Sequence, residues 1–311
     1  MGGRADAVAL DALQSVGAGL RRPECVLATA SGTVFASQLG AGVTRIGPDG
    51  AQRAIGAVAE VDGQPWIPNR FALMADGSFR VANMGPSGGL WGLYADGSLH
   101  PVLRMVDGQR LGATNFVLEG PAGQSWVSVS TRQWPIAGAF RRIVADGLAF
   151  ANELRLDPAG RFLYAAETFG RRIMRYPLRP NRALGAAEVF TTFGRGGFPD
   201  GMAFDESGHL WVVCVIGNRV VRVAPDGAQT LVLEDCDPTH LDDMERRIAD
   251  GVLAREDMQR VAGRRLRNVS SIAFDGTDGR TAYLGSLAGE SLLSFQVPVP
   301  GSAPPHWHRP F

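Results

Sequence analysis

The sequence contains no lysine; all 31 of its basic residues are arginine. That absence excludes Schiff-base chemistry, a phosphate-cradling P-loop lysine and a lysine general base. An excess of charge of either sign is missing too, with 31 Lys+Arg against 31 Asp+Glu and a pI near 7.0. A neutral chain without a basic stripe has no electrostatic footprint for nucleic acid or an anionic membrane surface. Cysteine is scarce. Cys25, Cys214 and Cys236 are odd in number, far apart and in no CxxC pair, which fits neither a disulfide framework nor a thiolate zinc site. No run of about 18 apolar residues occurs, and residues 1–24 lack the apolar core of an export signal. The expectation is a cytoplasmic protein with reduced thiols and no membrane or nucleic-acid partner.

Glycine, by contrast, is abundant, with 40 in 311 residues, and much of it is periodic. One phrase recurs, a small or acidic residue, Gly, one further residue and a strand-like run: SGTVFAS at 31–37, DGSFRVA at 76–82, AGQSWVS at 122–128, AGRFLYA at 159–165, SGHLWVV at 207–213 and DGRTAYL at 278–284. Its glycines (Gly32, Gly77, Gly123, Gly160, Gly208, Gly279) are 45, 46, 37, 48 and 71 residues apart, near the period of about 40–50 that marks propeller blades. Short Val-, Phe- and Trp-rich runs between PDG and ADG turns read as antiparallel meanders. The spacing predicts an all-β fold, a single domain over 1–311: a six-bladed propeller of four-stranded blades. The segment around 11–20 is expected to add a strand to the blade of residues 266–297 and so close the ring. The long last interval holds an insert at about 235–265, in which Leu241, Met244, Ile248, Leu253, Met258 and Val261 recur at a helical period. It reads as a solvated helical decoration or as a lid over the mouth. The proline-rich end, about 298–311, reads as a surface tail.

Polar residues stand at one offset from these glycines. Glu24, Asn69, Asn115, Asn152 and Asp200 each lie 8 residues before the glycine of their own unit. In a rotationally repeated fold, equal offsets place residues at equal height around the axis, so these five are expected to converge on one ring at the channel mouth. Two carboxylates and several amide oxygens form a hard cage suited to a divalent cation such as Ca²⁺, Mg²⁺ or Mn²⁺. Taken singly, such residues are also ordinary turn formers. Trp66, Trp134 and Phe198 lie in loops beside the proposed ring, and Phe116 directly follows Asn115. Cys25 reads as a small buried hydrophobe rather than a nucleophile.

Over about residues 20–297 the chain resembles the senescence-marker-protein/gluconolactonase-like six-bladed propellers, most specifically in PECV, NELRLDPAGRFLYAAET, FPDGMAFDESGHLWVV and VSSIAFDGTDGRTAYLGS. The resemblance implies a hydrolase of carboxylic esters, a lactonase, with one divalent cation held by Glu24, Asn152 and Asp200. Calcium comes first, ahead of magnesium, manganese, zinc or iron. It further implies that Asp200 is the general base and that Asn115 reaches substrate or its water. Asn69, Trp66, Phe116, Trp134 and Phe198 are the other expected substrate contacts. Where the sugar-lactone hydrolases commonly carry an Arg two residues before the substrate-side Asn, this chain has Ala113, and Phe116 replaces the usual Asp after it. Those departures favour a more apolar lactone or ester beside a sugar lactone. The segment AETFGRRIMRYPLRPNRALGAAEVF also resembles the strictosidine-synthase-like propellers. That leaves a lyase, or a non-catalytic binding propeller, as the alternative reading.

Overall fold

The computed structural model describes residues 7–120, 124–130, 137–139, 145, 147–181 and 183–311. The repeated phrase forms the turn between the two innermost strands of a sheet. Gly32, Gly77, Gly160, Gly208 and Gly279 all take φ between +65° and +81°, a region that costs a residue with a Cβ and that glycine enters freely. Five antiparallel sheets of four strands are built on such turns; in four of them the strands pair in consecutive order, and in the last an N-terminal strand completes the set. Their innermost strands are Val26–Ala28, Pro68–Leu73, Ala151–Leu156, Pro199–Phe204 and Val269–Phe274. These strands are almost wholly buried, whereas outer strands such as Gln52–Ile55 and Glu188–Thr192 are largely exposed. Between neighbouring sheets lie the apolar clusters, for example Trp211 with Phe274 and Leu284, and Trp66 with Phe71 and Trp91.

Six four-stranded blades were expected, but among the described residues the propeller has five four-stranded blades, not six. Between the blades of Pro68–Leu73 and Ala151–Leu156 stands a sheet of three strands among the described residues, Thr114–Glu119, Ser125–Val129 and Ala137–Ala139. The reason is in what the repeat reports. A glycine phrase marks only the inner hairpin of a unit, which this sheet possesses, and says nothing about whether a fourth, outer strand follows.

The ring is closed by the two ends of the chain. Gln14–Val16 pairs antiparallel with Leu292–Gln296 as the outermost strand of the last blade, from Gln14 opposite Ser294 to Val16 opposite Leu292, which removes an open sheet edge. The insert is helical over Pro238–Ala249. Asp237 caps it, accepting from the His240 amide at 3.0 Å, and a proline occupies its first turn. Its Leu241 and Met244 are buried against Phe150, Phe198, Val215 and Ile216. The C-terminal segment is packed rather than loose. Asp205 bridges Gly301, the Ser302 amide donates to the Phe204 carbonyl and the Ala30 amide to that of Trp307, both at 2.8 Å. Arg309 pairs with Glu119, and the Phe311 ring sits 5.0 Å from that of Phe35. Aromatic rings and prolines, rather than a periodic pattern, dock this strap across the far ends of the inner strands. A cavity of about 290 Å³ remains beneath it, lined by Leu118, Arg155, Phe204, Phe274 and His306 among others.

Candidate functional site

The near ends of the inner strands are irregular at one shared height. Pairing with the second strand breaks register between Pro68 and Phe71, Thr114 and Phe116, Ala151 and Leu154, Pro199 and Met202, and Val269 and Ser271. A bulge interrupts the strict alternation of faces and re-aims the side chains it contains. The residues within these breaks are Asn69 and Arg70, Asn115, Asn152 and Glu153, Asp200 and Gly201, and Ser270. All are buried.

Hydrogen bonds that cross from sheet to sheet hold this ring. Asn69 Nδ2 donates to both Asn115 Oδ1 and the Asn115 carbonyl at 3.0 Å. Asn115 Nδ2 donates to Ser130 Oγ at 2.7 Å, and that hydroxyl donates to the Ala151 carbonyl at 2.8 Å. Asn152 Nδ2 donates to Thr168 Oγ1 at 3.2 Å, whose hydroxyl in turn donates to the Pro199 carbonyl at 2.7 Å. Ser270 Oγ donates to the Glu24 carbonyl at 3.0 Å. The five residues expected from the common offset are therefore tied into one layer of the channel. Because Asn152 spends its amide nitrogen on Thr168, its Oδ1 is left as the free end. That oxygen is buried and has no hydrogen-bond partner among the described residues.

Arg70 lies at the centre of the layer, 1% exposed. Its Nη1 donates to Glu153 Oε2 at 2.7 Å and its Nη2 to Asp200 Oδ1 at 2.6 Å, with a further bond from Nη2 to the Ser270 carbonyl. Its Nε stands 3.9 Å from Glu24 Oε1. The second Glu153 oxygen pairs with Arg155 at 2.6 Å, and the guanidinium carbons of Arg70 and Arg155 lie 5.9 and 5.4 Å from the centre of the Phe116 ring. Above the layer, the partly exposed Arg22 pairs with Glu24 and donates to Asn69 Oδ1 at 2.9 Å. Arg22 holds this position with a left-handed φ of +56°, a strained conformation for a residue with a side chain. Burial pushes the Asp200 carboxyl up to about 7 against the opposing pull of Arg70. Burial works against the charge on Arg70, but Glu153 and Asp200 outweigh it and raise its pKa. The Cys25 thiol is pushed up to about 11 by burial, which leaves little thiolate for nucleophilic attack.

Glu24, Asn69, Asn115, Asn152 and Asp200 are thus brought together, with Phe116 below them. Trp66 points elsewhere: its indole nitrogen donates to the Ala41 carbonyl at 2.9 Å and its ring packs edge-on against Trp91, 5.9 Å away. Phe198 is fully buried under Arg171, 4.4 Å from its ring centre, and under the insert. Trp134 lies outside the described residues. Among the described residues no three His, Cys, Asp or Glu side chains gather as a metal-binding group; the expected cation set is two carboxylates and one amide. Sequence reasoning missed Arg70 and Glu153. The available signal was a second common offset, since both stand 7 residues before their glycines, as do Cys25, Phe116 and Gly201.

Residues 135–234 match the SMP-30/Gluconolactonase/LRE-like region model. Over 88 residues the chain is 34% identical to 6-deoxy-6-sulfogluconolactonase of Pseudomonas putida, an alignment that covers 28% of this chain and 30% of that enzyme. It is 32% identical over 90 residues to L-arabinolactonase of Azospirillum brasilense, covering 29% and 30%. The chain thus aligns with less than a third of the length of either curated relative. In fold it is similar to the calcium-binding protein regucalcin of Agrobacterium tumefaciens, with a TM-score of 0.63 at 18% identity over 92% of this chain and 94% of the other. Among the described residues no helix is long and apolar enough to cross a membrane.

Proposed function

We propose that this protein hydrolyses lactones at the mouth of the propeller channel, with a divalent cation held by Glu24, Asn152 and Asp200. The observation that carries the reading is the buried, unpartnered Asn152 Oδ1. An amide oxygen without a donor in a buried site costs on the order of 1–3 kcal/mol, and a hard cation removes that cost. Two carboxylates in the same layer, Glu24 and Asp200, offer the hard oxygen ligands such a cation takes. The lactonases named above support the choice of substrate class, and the regucalcin fold supports calcium as the first cation to test.

When bound, the cation supplies the electrophile that polarises the lactone carbonyl. The protein's own residues do the rest. Asp200, through the oxygen not engaged by Arg70, accepts a proton from the attacking water. That proton is passed to the ring oxygen as the carbon–oxygen bond opens, so one water is consumed and a hydroxy acid is formed. Asn115, anchored through its Nδ2 to Ser130, positions the substrate. In the described part of the site the partly exposed Arg22 lies above the buried Asn69 and Asn115, while Trp66 and Phe198 are packed inward. This polar lining favours the lactone of a hydroxylated acid over an apolar ester.

A panel of sugar lactones and alkyl lactones, assayed after chelator treatment and again after return of Ca²⁺, Mn²⁺ or Mg²⁺, tests the reading. Ring opening restored by a divalent cation supports it, and ring opening that never depends on one contradicts it.

A further inference from the structure

Arg70 has no place in the reaction described above, yet among the described residues it is the most completely buried positive charge. Its guanidinium bridges a carboxylate of the proposed cation site, Asp200, and a carboxylate outside it, Glu153, at 2.6 and 2.7 Å. One further bond fixes it to the Ser270 carbonyl, on the blade next to that of Asp200, so it is not free to swing away. The formal charges of the cluster already cancel. Glu24, Glu153 and Asp200 face Arg22, Arg70 and Arg155, each carboxylate within an ion pair. A divalent cation added to such a cluster enters a neutral site rather than an anionic one. It would also share Asp200 with a fixed positive charge that already holds Oδ1. Like charges sharing one carboxylate in a buried setting repel with little screening.

We propose that Arg70 is a resident cation of the channel, which keeps Asp200 in place without metal and weakens the hold of the site on a divalent cation. The inference rests on the reading of Glu24, Asn152 and Asp200 as a cation site. Arg70 is a positioning residue in this account, acting on the cation through Asp200. Its charge, more than its shape, sets the affinity. Glu153 has the opposite influence, because it neutralises Arg70.

The test is calorimetric titration of Mn²⁺ and Ca²⁺ into the full-length wild-type protein and into Arg70→Gln, Arg70→Lys, Glu153→Gln and the double variant Arg70→Gln/Glu153→Gln. Thermal unfolding of each is followed with and without metal. Arg70→Gln should bind the cation about tenfold or more tightly and should become more dependent on metal for its stability. Arg70→Lys, which keeps the charge but not the planar fork, should stay within about threefold of wild type. Glu153→Gln should bind more weakly. The double variant, which removes a buried ion pair as a unit, keeps the test available if Arg70→Gln alone fails to fold, and it should also bind more tightly than wild type. Affinity in the Arg70→Gln and double variants that is unchanged or lower than wild type overturns the proposal while leaving the cation site standing. No cation binding by any of the five proteins overturns the cation site itself, and this proposal with it.

Discussion

Arg70 and Asp200, 130 residues apart in the chain, are joined by a 2.6 Å hydrogen bond in the buried centre of the propeller. One oxygen of the proposed base is thereby fixed, and its other oxygen is left for chemistry. The same guanidinium also donates to the Ser270 carbonyl, and the approach of the Ser270 strand to that of Asp200 depends on the residue after Asp200.

Gly201 permits that approach. A Cβ added there would lie 2.5 Å from the Ser270 carbonyl oxygen and 2.6 Å from Ser271 Cα, both backbone atoms that can move only with their strand. Gly201→Ala should therefore destabilise the fold by about 1–3 kcal/mol, as overpacked buried positions do. It should also lower lactone turnover, since Ser270 anchors Arg70. Denaturant midpoints and initial rates on one preparation check both effects.

Replacing Asp200 by Asn keeps an oxygen for Arg70 but removes the negative charge and the proton acceptor. Turnover should fall about 10²–10⁴-fold, the usual contribution of a general base, with partial loss of metal. Asn115→Ala should leave metal content unchanged and raise KM more than it lowers kcat. Rates and metal content measured on the same samples distinguish the two.

The strap predicts a pH effect. Burial, with Arg155 and Arg309 nearby, pushes the His306 imidazole down to about 3. In the unfolded chain it titrates near 6.5, so between these values the unfolded state binds a proton that the folded state refuses. The stability from neutral His306 is present above about 6.5 and is lost progressively as pH falls toward 3. The difference in unfolding free energy between wild type and His306→Asn, followed from pH 7.5 to 4.5, should shrink on acidification.

Much of the ring was legible because it rests on counting. Glu24, Asn69, Asn115, Asn152 and Asp200 share one offset, and rotational repetition turns an offset into a height. Arg70 and Glu153 were hidden by the rule that successive strand residues face opposite sides, which the bulges at Pro68–Phe71 and Ala151–Leu154 break. The count of four-stranded blades was too high because the glycine phrase marks only a hairpin, and the sheet of Thr114–Glu119 has three strands among the described residues. Trp66 and Phe198 read as mouth residues from their neighbours in sequence, but packing against Trp91 and under Arg171 turns both inward. The strap was unreadable as structure because its contacts, Phe311 on Phe35 and Arg309 on Glu119, join residues far apart in the chain.

The most direct test concerns Asn152, whose unpartnered oxygen carries the functional reading. Asn152→Leu should retain the fold while losing that oxygen. Ring opening of a hydroxylated lactone, followed by proton release with bound metal quantified in the same samples, should proceed in the wild type only with a divalent cation present. In Asn152→Leu it should drop about a hundredfold or more together with metal content, in line with the 10–100-fold losses that even supporting residues of metal sites produce. Equal rates in the two proteins, or a wild type that opens lactones at full rate without any divalent cation, would contradict the account.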